Sequence, residues 1–105
     1  MSLQHSVKQH LTNEYGLSSE DVEELFEAAR KYVQEGLDHL KAHIQNKSFD
    51  EIASVSHTLK GNFLNMGLDE PAALAQHLEV MAKEKRHQEI NADYDMLVQK
   101  IAPLF

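Results

Sequence analysis

Apolar residues in this 105-residue chain recur every three or four positions over long stretches, and no stretch alternates with a period of two. This spacing is typical of amphipathic α-helices. It predicts a short helix over residues 3–15, which stops at Gly16. A long helix then begins at Ser18, whose hydroxyl is placed to cap it, and runs to about Gln45.

The second half of the chain carries the start and stop signals of further helices. The segment "SFDE" (Ser48–Glu51) has the pattern of a capping box, with serine at the N-cap and glutamate at N3. The helix that it opens is predicted to end at Gly67, a suitable C′ glycine. Asp69 and Pro71 mark the beginning of the next helix, because proline is tolerated in a first turn.

The last helix is predicted between a polar run and a proline. "KEKRHQE" (83–89) is predicted as a loop, and Pro103 ends the helix that follows it. Long amphipathic helices joined by short connections predict an all-α, antiparallel four-helix bundle over about residues 18–103, preceded by the short helix. We expect residues 1–105 to form a single domain.

The histidine of "SHTLKGNFLNMG" (residues 56–67) lies on an unusual helix face. At about 100° per residue, His57 lies roughly 160° from the centre of the apolar stripe of its helix. Gly61 follows one turn later on the same side, and Lys60 flanks both. Leu64 and Leu68 continue the same face, which is predicted to be exposed. The apolar stripe on the opposite side consists of Ile52, Val55, Leu59, Phe63 and Met66.

This combination of side chains suits phosphoryl transfer. A neutral imidazole is a good nucleophile near neutral pH. Lys60 can offset the charge of a phosphoryl group on His57, and Gly61 leaves space for a partner to approach the backbone. Leu64 and Leu68 would give that partner an apolar surface. Because the stretch has neither a carboxylate cluster nor a glycine-rich nucleotide loop, we expect another protein to supply the phosphoryl group and its metal.

"HTLKG" followed by "NMG" resembles the histidine phosphotransfer (HPt) domain family of two-component phosphorelays. The resemblance covers about residues 19–103. It implies a four-helix bundle without a cofactor or metal site of its own, phosphorylated on His57 Nε2. It also implies partners: response-regulator receiver domains that hold Mg²⁺, and an upstream sensor or hybrid histidine kinase. The family usually has small residues where this chain has Asn62 and Phe63. Asn62 is predicted to lie between the core and the exposed face, where it could hydrogen-bond near the site, and is a candidate docking residue. Gln76 is the candidate for the polar residue that the third bundle helix often supplies.

Two other functions fit the same sequence. The chain also resembles the phosphoacceptor domain of a chemotaxis-type histidine kinase, in which a separate catalytic domain would phosphorylate His57 directly from ATP. A purely structural helical bundle or adaptor, in which "HTLKG" is a coincidence, is the third interpretation. It predicts that replacing His57 changes no partner's phosphorylation.

Composition narrows the function classes. Ten Lys and Arg against seventeen Asp and Glu give a net charge of −7, which disfavours binding to nucleic acid or to anionic membranes. The chain has no cysteine, which excludes disulfides and thiolate chemistry. No apolar run is long enough to span a membrane. We therefore expect a cytoplasmic protein. The resemblance to HPt domains implies a phosphotransfer intermediate and not an enzyme. We expect a monomer, although the exposed leucine face could serve a partner or a dimer.

Other residues have simpler explanations. His39 and His43 are four residues apart and follow Glu35, a spacing that could hold a metal, but no further ligand is evident and an exposed helix flank explains it as well. His77 is predicted at the surface, and "KEKR" (83–86) could steer an acidic partner or be an ordinary charged loop. Three methionines are predicted to fill the core: Met66, Met81 and Met96.

Overall fold

The structure is a computed structural model that describes residues 2–105. Over this range the chain is all-α, with no strand. The elements are α1 (Leu3–Tyr15), α2 (Ser19–Gln45), α3 (Phe49–Asn65), α4 (Asp69–Lys83), α5 (His87–Ile101) and a final 3₁₀ turn (Ala102–Leu104).

Helices α2 to α5 form an antiparallel bundle. Together with α1 and the 3₁₀ turn, it has principal extents of 43 × 20 × 19 Å. Successive helices pack side by side, and the α3–α4 pair has the most extensive contact. Helix α1 packs on α2 and on the 3₁₀ turn, where it buries Val7 and Leu11. The predicted all-α bundle with a short additional helix is confirmed. Its core is apolar apart from the fully buried Ser56. The largest fully buried side chains include Phe26, Leu40, Ile52, Leu59, Phe63, Leu78, Ile90, Leu97 and Ile101.

The three connections within the bundle share one backbone geometry. Each has three residues, and the middle residue is in the left-handed region: Lys47 (φ 53°), Gly67 (φ 74°) and Lys85 (φ 58°). In each, the N–H of the third residue donates to the carbonyl five residues earlier, as in a Schellman motif. These bonds are Ser48 to His43 (2.9 Å), Leu68 to Phe63 (2.8 Å) and Arg86 to Met81 (2.9 Å). The third residue is at the same time the N-cap of the next helix.

The predicted caps are partly confirmed. The N–H of Asp21 donates to Ser18 Oγ at 3.2 Å, and Gly67 follows α3 in the left-handed conformation. The capping box at Ser48–Glu51 is wrong, because Ser48 is the N-cap residue but its side chain makes no cap hydrogen bond. The Schellman geometry places Ser48 at φ −85° and ψ 78° instead of the extended backbone of an ordinary N-cap.

Other boundaries and core predictions need correction. The loop predicted at 83–89 is shorter, because Lys83 ends α4 and His87 already begins α5. Met66 and Met81 are buried, but Met96 is 50% exposed and is not core filler. Leu25 and Val98, at the edges of their helical stripes, are also exposed. The buried face of each helix is therefore narrower than the apolar stripe in its sequence.

Candidate functional site

His57 lies in the middle of α3 with its side chain 69% exposed, on the side away from the core, as predicted. A contact with Glu79 restricts the orientation of the imidazole ring. Nδ1 of His57 lies 3.2 Å from Oε1 of Glu79, which extends from the neighbouring helix α4. The pair orients the imidazole so that its other nitrogen, Nε2, is directed away from Glu79.

The chemistry of the carboxylate decides which nitrogen of His57 carries the proton. An ionised carboxylate can only accept hydrogen bonds, so Nδ1 must be the donor in the bond to Glu79. In a neutral imidazole the lone pair then belongs to Nε2. The contact with Glu79 therefore favours the tautomer whose exposed nitrogen is nucleophilic.

Glu79 has a second charged partner, Lys83, besides its contact with His57. Its side chain is only 12% exposed, and its Oε2 lies 3.2 Å from Nζ of Lys83, one turn later on α4. Partial burial raises the pKa of Glu79, but hydrogen bonds and charges from Lys83 and His57 outweigh it and lower the pKa below the ordinary 4.5. Glu79 is therefore ionised at neutral pH, as the tautomer argument requires.

Lys60 lies one turn beyond His57 on α3, and its ammonium group has a neutral partner. Nζ of Lys60 donates to Oε1 of Gln76 on α4 at 2.6 Å. Because an amide carries no net charge, the hydrogen bond positions the ammonium without neutralising it. The cation near His57 remains available to an incoming anion.

The register between α3 and α4 brings these groups together. The two helices run antiparallel and form the most extensive helix–helix contact of the bundle. In this register Gln76 lies opposite Lys60, and Glu79 lies opposite His57. The relative positions of these side chains therefore depend on how α3 and α4 pack against each other.

The exposed face of α3 beside His57 is open. A Cβ atom added at Gly61 would have no neighbour within 4 Å, so this glycine is not required by packing inside the molecule. Leu64, one turn further along, is 48% exposed. Gly61 and Leu64 therefore lie where the helical pattern predicts, on the side of α3 that carries His57.

Leu68 does not belong to this face, and the prediction that it lies there is wrong. Leu68 is only 7% exposed and is part of the hydrophobic core. The left-handed Gly67 reverses the chain after α3, so the helical spacing cannot be continued past it. In a Schellman motif the residue after the glycine turns back to pack against the last turn of the helix, as Leu68 does.

Asn62 is half-buried. It lies on a different side of α3 from the side that Glu79 of α4 contacts. It borders an apolar groove of about 360 Å³ between α1, α2 and α3, together with Tyr15, Leu25, Tyr32 and others. The structure thus groups His57, Lys60 and Gln76, and leaves Asn62 on the opposite flank.

Sequence reasoning missed Glu79 and Lys83, although a signal for both exists. Gln76, Glu79 and Lys83 are spaced at i, i+3 and i+7, which places them on one face of α4. If Gln76 reaches the site, this spacing predicts that Glu79 and Lys83 lie on the same side of α4 as Gln76. Lys83 could not be found in this way, because the polar run that contains it is predicted as a loop and not as part of α4.

The remaining histidines are dispersed. Within residues 2–105, no three or more His, Asp and Glu side chains are grouped so that they could hold a metal ion, and this includes His39 and His43 with Glu35. His77 is at the surface, as predicted, and its side chain is 54% exposed.

No helix in the described part of the chain is long and apolar enough to cross a membrane.

Comparison with known proteins supplies the family. A sequence model of the Hpt domain matches residues 20–102, which include all of α3, α4 and α5 and nearly all of α2. Neither a comparison with curated proteins nor one with solved structures finds a match. Hpt domains act in histidine phosphotransfer within phosphorelays, where they interact with receiver domains and kinases, and they are carriers and not classical enzymes. Because the match covers most of the chain, this protein belongs to the Hpt domain family.

Proposed function

We propose that His57 accepts a phosphoryl group on Nε2 from the aspartyl phosphate of a receiver domain and passes it to the aspartate of a second receiver. The observation that carries this proposal is the hydrogen bond between His57 Nδ1 and Glu79, together with the exposure of the ring. An exposed imidazole with its proton held on the inner nitrogen has its lone pair facing the solvent.

The transfer is a displacement at phosphorus. The Nε2 lone pair forms the new P–N bond while the P–O bond to the donor aspartate breaks, and the bonding electrons leave with the carboxylate. The imidazole becomes cationic in this step, and the nearby charge of Glu79 stabilises it. In the second transfer the acceptor aspartate attacks phosphorus, the P–N bond breaks and His57 returns to its neutral form.

Lys60 offsets the charge of the phosphoryl group. In the unphosphorylated protein its ammonium group rests on Gln76, within one helical turn of His57. Exchanging an amide for a phosphoryl oxygen gives Lys60 a charge-assisted hydrogen bond in place of a neutral acceptor. Gln76 therefore positions the ammonium group of Lys60 near His57, and it competes only weakly with the phosphoryl group for that ammonium group.

The surface around His57 suits a partner that comes close to the helix backbone. Gly61 leaves open space beside the histidine, and the exposed Leu64 adds apolar area next to it. Asn62 borders the adjacent groove and would extend contact toward α1 and α2. The receiver would bring the phosphoryl group and the Mg²⁺ that such a transfer requires, because the part of the chain that the structure describes holds no group of three or more His, Asp and Glu side chains suited to a metal.

The test is phosphorylation by a phosphorylated receiver domain, followed by mapping under alkaline conditions that preserve phosphohistidine. We expect acid-labile, base-stable phosphate on His57, and none at this position in His57→Gln. His39→Gln is the matched control, since it removes an exposed histidine from α2 and should take up phosphate at the wild-type rate. Unchanged phosphate uptake by a folded His57→Gln variant would show that the acceptor is another residue.

A further inference from the structure

We propose that His77 is a second phosphoryl acceptor, which reacts through Nε2 with small phosphoryl donors. His77 lies on α4, and its Nδ1 is hydrogen-bonded to Oδ2 of Asp93 on α5. The arrangement repeats that of His57 and Glu79, with a different pair of helices. No family resemblance is involved, because the motif of α3 has no counterpart around His77.

In both histidine–carboxylate pairs Nδ1 of the ring contacts a carboxylate oxygen, and the exposure of the corresponding side chains is similar. The carboxylate partner is mostly buried in both, 12% exposed for Glu79 and 15% for Asp93. The imidazole is exposed in both, 69% for His57 and 54% for His77. In both pairs a carboxylate can only accept, so the proton is held on Nδ1 and the lone pair is left on the outer nitrogen.

The two histidines occupy different grooves of the bundle. Glu79 and Gln76 extend from α4 toward α3, whereas His77 extends toward α5. A partner seated over His57 therefore need not cover His77. His77 can react while the site on α3 is occupied.

One difference between the pairs predicts a difference in reactivity. Lys83 contacts Glu79 and Lys60 lies one turn from His57, but within residues 2–105 no lysine or arginine forms a hydrogen bond or an ion pair with His77 or Asp93. A phosphoryl group on His77 would have no such cation to offset its charge. We expect His77 to be phosphorylated more slowly than His57 and to lose its phosphoryl group sooner.

The reaction with phosphoramidate is balanced without any further reactant. The donor reacts in the form whose nitrogen is protonated. The Nε2 lone pair of His77 forms the P–N bond, the bond from phosphorus to the donor –NH₃⁺ group breaks, and the bonding electrons leave with that nitrogen as ammonia. The ring proton on Nδ1 stays in the hydrogen bond to Asp93, whose negative charge stabilises the cationic ring. Hydrolysis of the product would return inorganic phosphate and the free histidine.

The experiment incubates the whole chain with phosphoramidate and follows phosphate separately at each histidine by alkaline peptide mapping. His39 is the reference, because it is exposed and has no hydrogen bond or ion pair to another side chain in residues 2–105. We expect His77 to be labelled at least about threefold faster than His39, the effect of a charge-assisted hydrogen bond on the ring. The phosphate on His77 should be the Nε2 isomer.

Asp93→Asn removes the charge but keeps the shape of the partner. It should slow labelling of His77 toward the rate of His39 and leave labelling of His57 unchanged. Circular dichroism and the thermal midpoint would show that the variant is folded. Labelling of His77 at or below the rate of His39, or labelling that Asp93→Asn does not change, would overturn the proposal. Because each histidine is read separately, failure at His77 and failure at His57 are distinct outcomes.

Discussion

Glu79 uses both of its carboxylate oxygens at the site, Oε1 for His57 and Oε2 for Lys83. A carboxylate held on both sides cannot rotate away from the imidazole without losing a charged partner. The orientation of His57 therefore depends on two residues of α4 as well as on its own helix.

Replacing Glu79 with glutamine tests this dependence. The amide oxygen of the introduced glutamine can still accept from Nδ1, but without the charge that strengthens the bond and stabilises the cationic ring. We expect Glu79→Gln to lower the rate of phosphoryl uptake on His57 by about fivefold, the equivalent of roughly 1 kcal/mol. Glu79→Ala, which removes the acceptor, should lower it further.

A spectroscopic measurement separates this effect from a loss of structure. Nitrogen-15 NMR of the histidine side chains reports which ring nitrogen carries the proton, and the Nδ1–H tautomer of His57 should lose population in Glu79→Ala. Glu35→Gln removes a carboxylate from the exposed face of α2 and should change neither the rate nor the tautomer. An unchanged tautomer in Glu79→Ala would contradict the role of this carboxylate.

His57, Lys60 and Gly61 can be found from sequence because they lie within one helix, where 3.6 residues per turn fixes their relative directions. Glu79 is a different case. Its contact with His57 depends on the register between two helices, α3 and α4, which is set by packing between the helices. Periodicity within a helix carries no information about that register.

At the scale of the elements, the three bundle connections share one conformation but not one residue type. The left-handed position is glycine at Gly67 and lysine at Lys47 and Lys85. Left-handed backbone costs an L-residue roughly 1–2 kcal/mol, whereas glycine adopts it freely. Two of the three connections are therefore under local strain.

Lys47→Gly and Lys85→Gly should each stabilise the protein. We expect each to raise the free energy of unfolding by about 0.5–1 kcal/mol, after allowing for the greater freedom of glycine in the unfolded chain. Urea denaturation, read as a shift in the midpoint at constant slope, is the measurement.

The same lysine-to-glycine change inside a helix is the matched control. Lys41 is exposed in the interior of α2, so Lys41→Gly should destabilise the protein by about 1 kcal/mol. Gly67→Ala should also destabilise it, because a Cβ there would lie 2.6 Å from Cγ of His10 and the backbone is left-handed. Lower midpoints for both Lys47→Gly and Lys85→Gly would contradict the strain argument.

The elements themselves follow from the sequence, but the geometry between them does not. Gly16 and Gly67 mark the ends of α1 and α3, and the pattern predicts the ends of α1, α2 and α3 to within a residue or two. Lys47 and Lys85 give no such signal, because lysine is rare in left-handed backbone. The predicted loop after α4 is therefore too long, and the predicted helix face that includes Leu68 ends before it.

At the scale of the whole molecule, stability depends on pH through Glu79. Burial raises the pKa of this group, but its bonds with Lys83 and His57 lower it below 4.5 in the folded protein. The unfolded chain therefore binds a proton at this carboxyl more readily than the folded protein does. The stabilisation is fully present above about pH 4.5 and is lost as the pH falls through the lower value of the folded state.

Comparing the free energy of unfolding of the wild type with that of Glu79→Gln isolates the contribution of the Glu79 charge to stability. At pH 7 the wild type should be more stable than the variant by about 0.5 kcal/mol, the size of a partly exposed ion pair. The difference should shrink toward zero in urea titrations repeated at successively lower pH below 4.5. Glu35→Gln, which removes an exposed carboxylate that forms no ion pair within residues 2–105, should show no such trend. A difference that grows as the pH falls below 4.5 would contradict a lowered pKa at Glu79.

The order of helix packing has a consequence for how the chain folds. Helices α4 and α5 each pack mainly on the preceding helix, and α3 packs mainly on α4, in every case across a connection of only three residues. Contacts between residues near in sequence cost little chain entropy to close, and helical proteins with this topology fold in microseconds to milliseconds. Helices α3 and α4 form the most extensive of these hairpins, and they hold His57 and Glu79. We therefore expect the acceptor site to assemble early, with the folding nucleus.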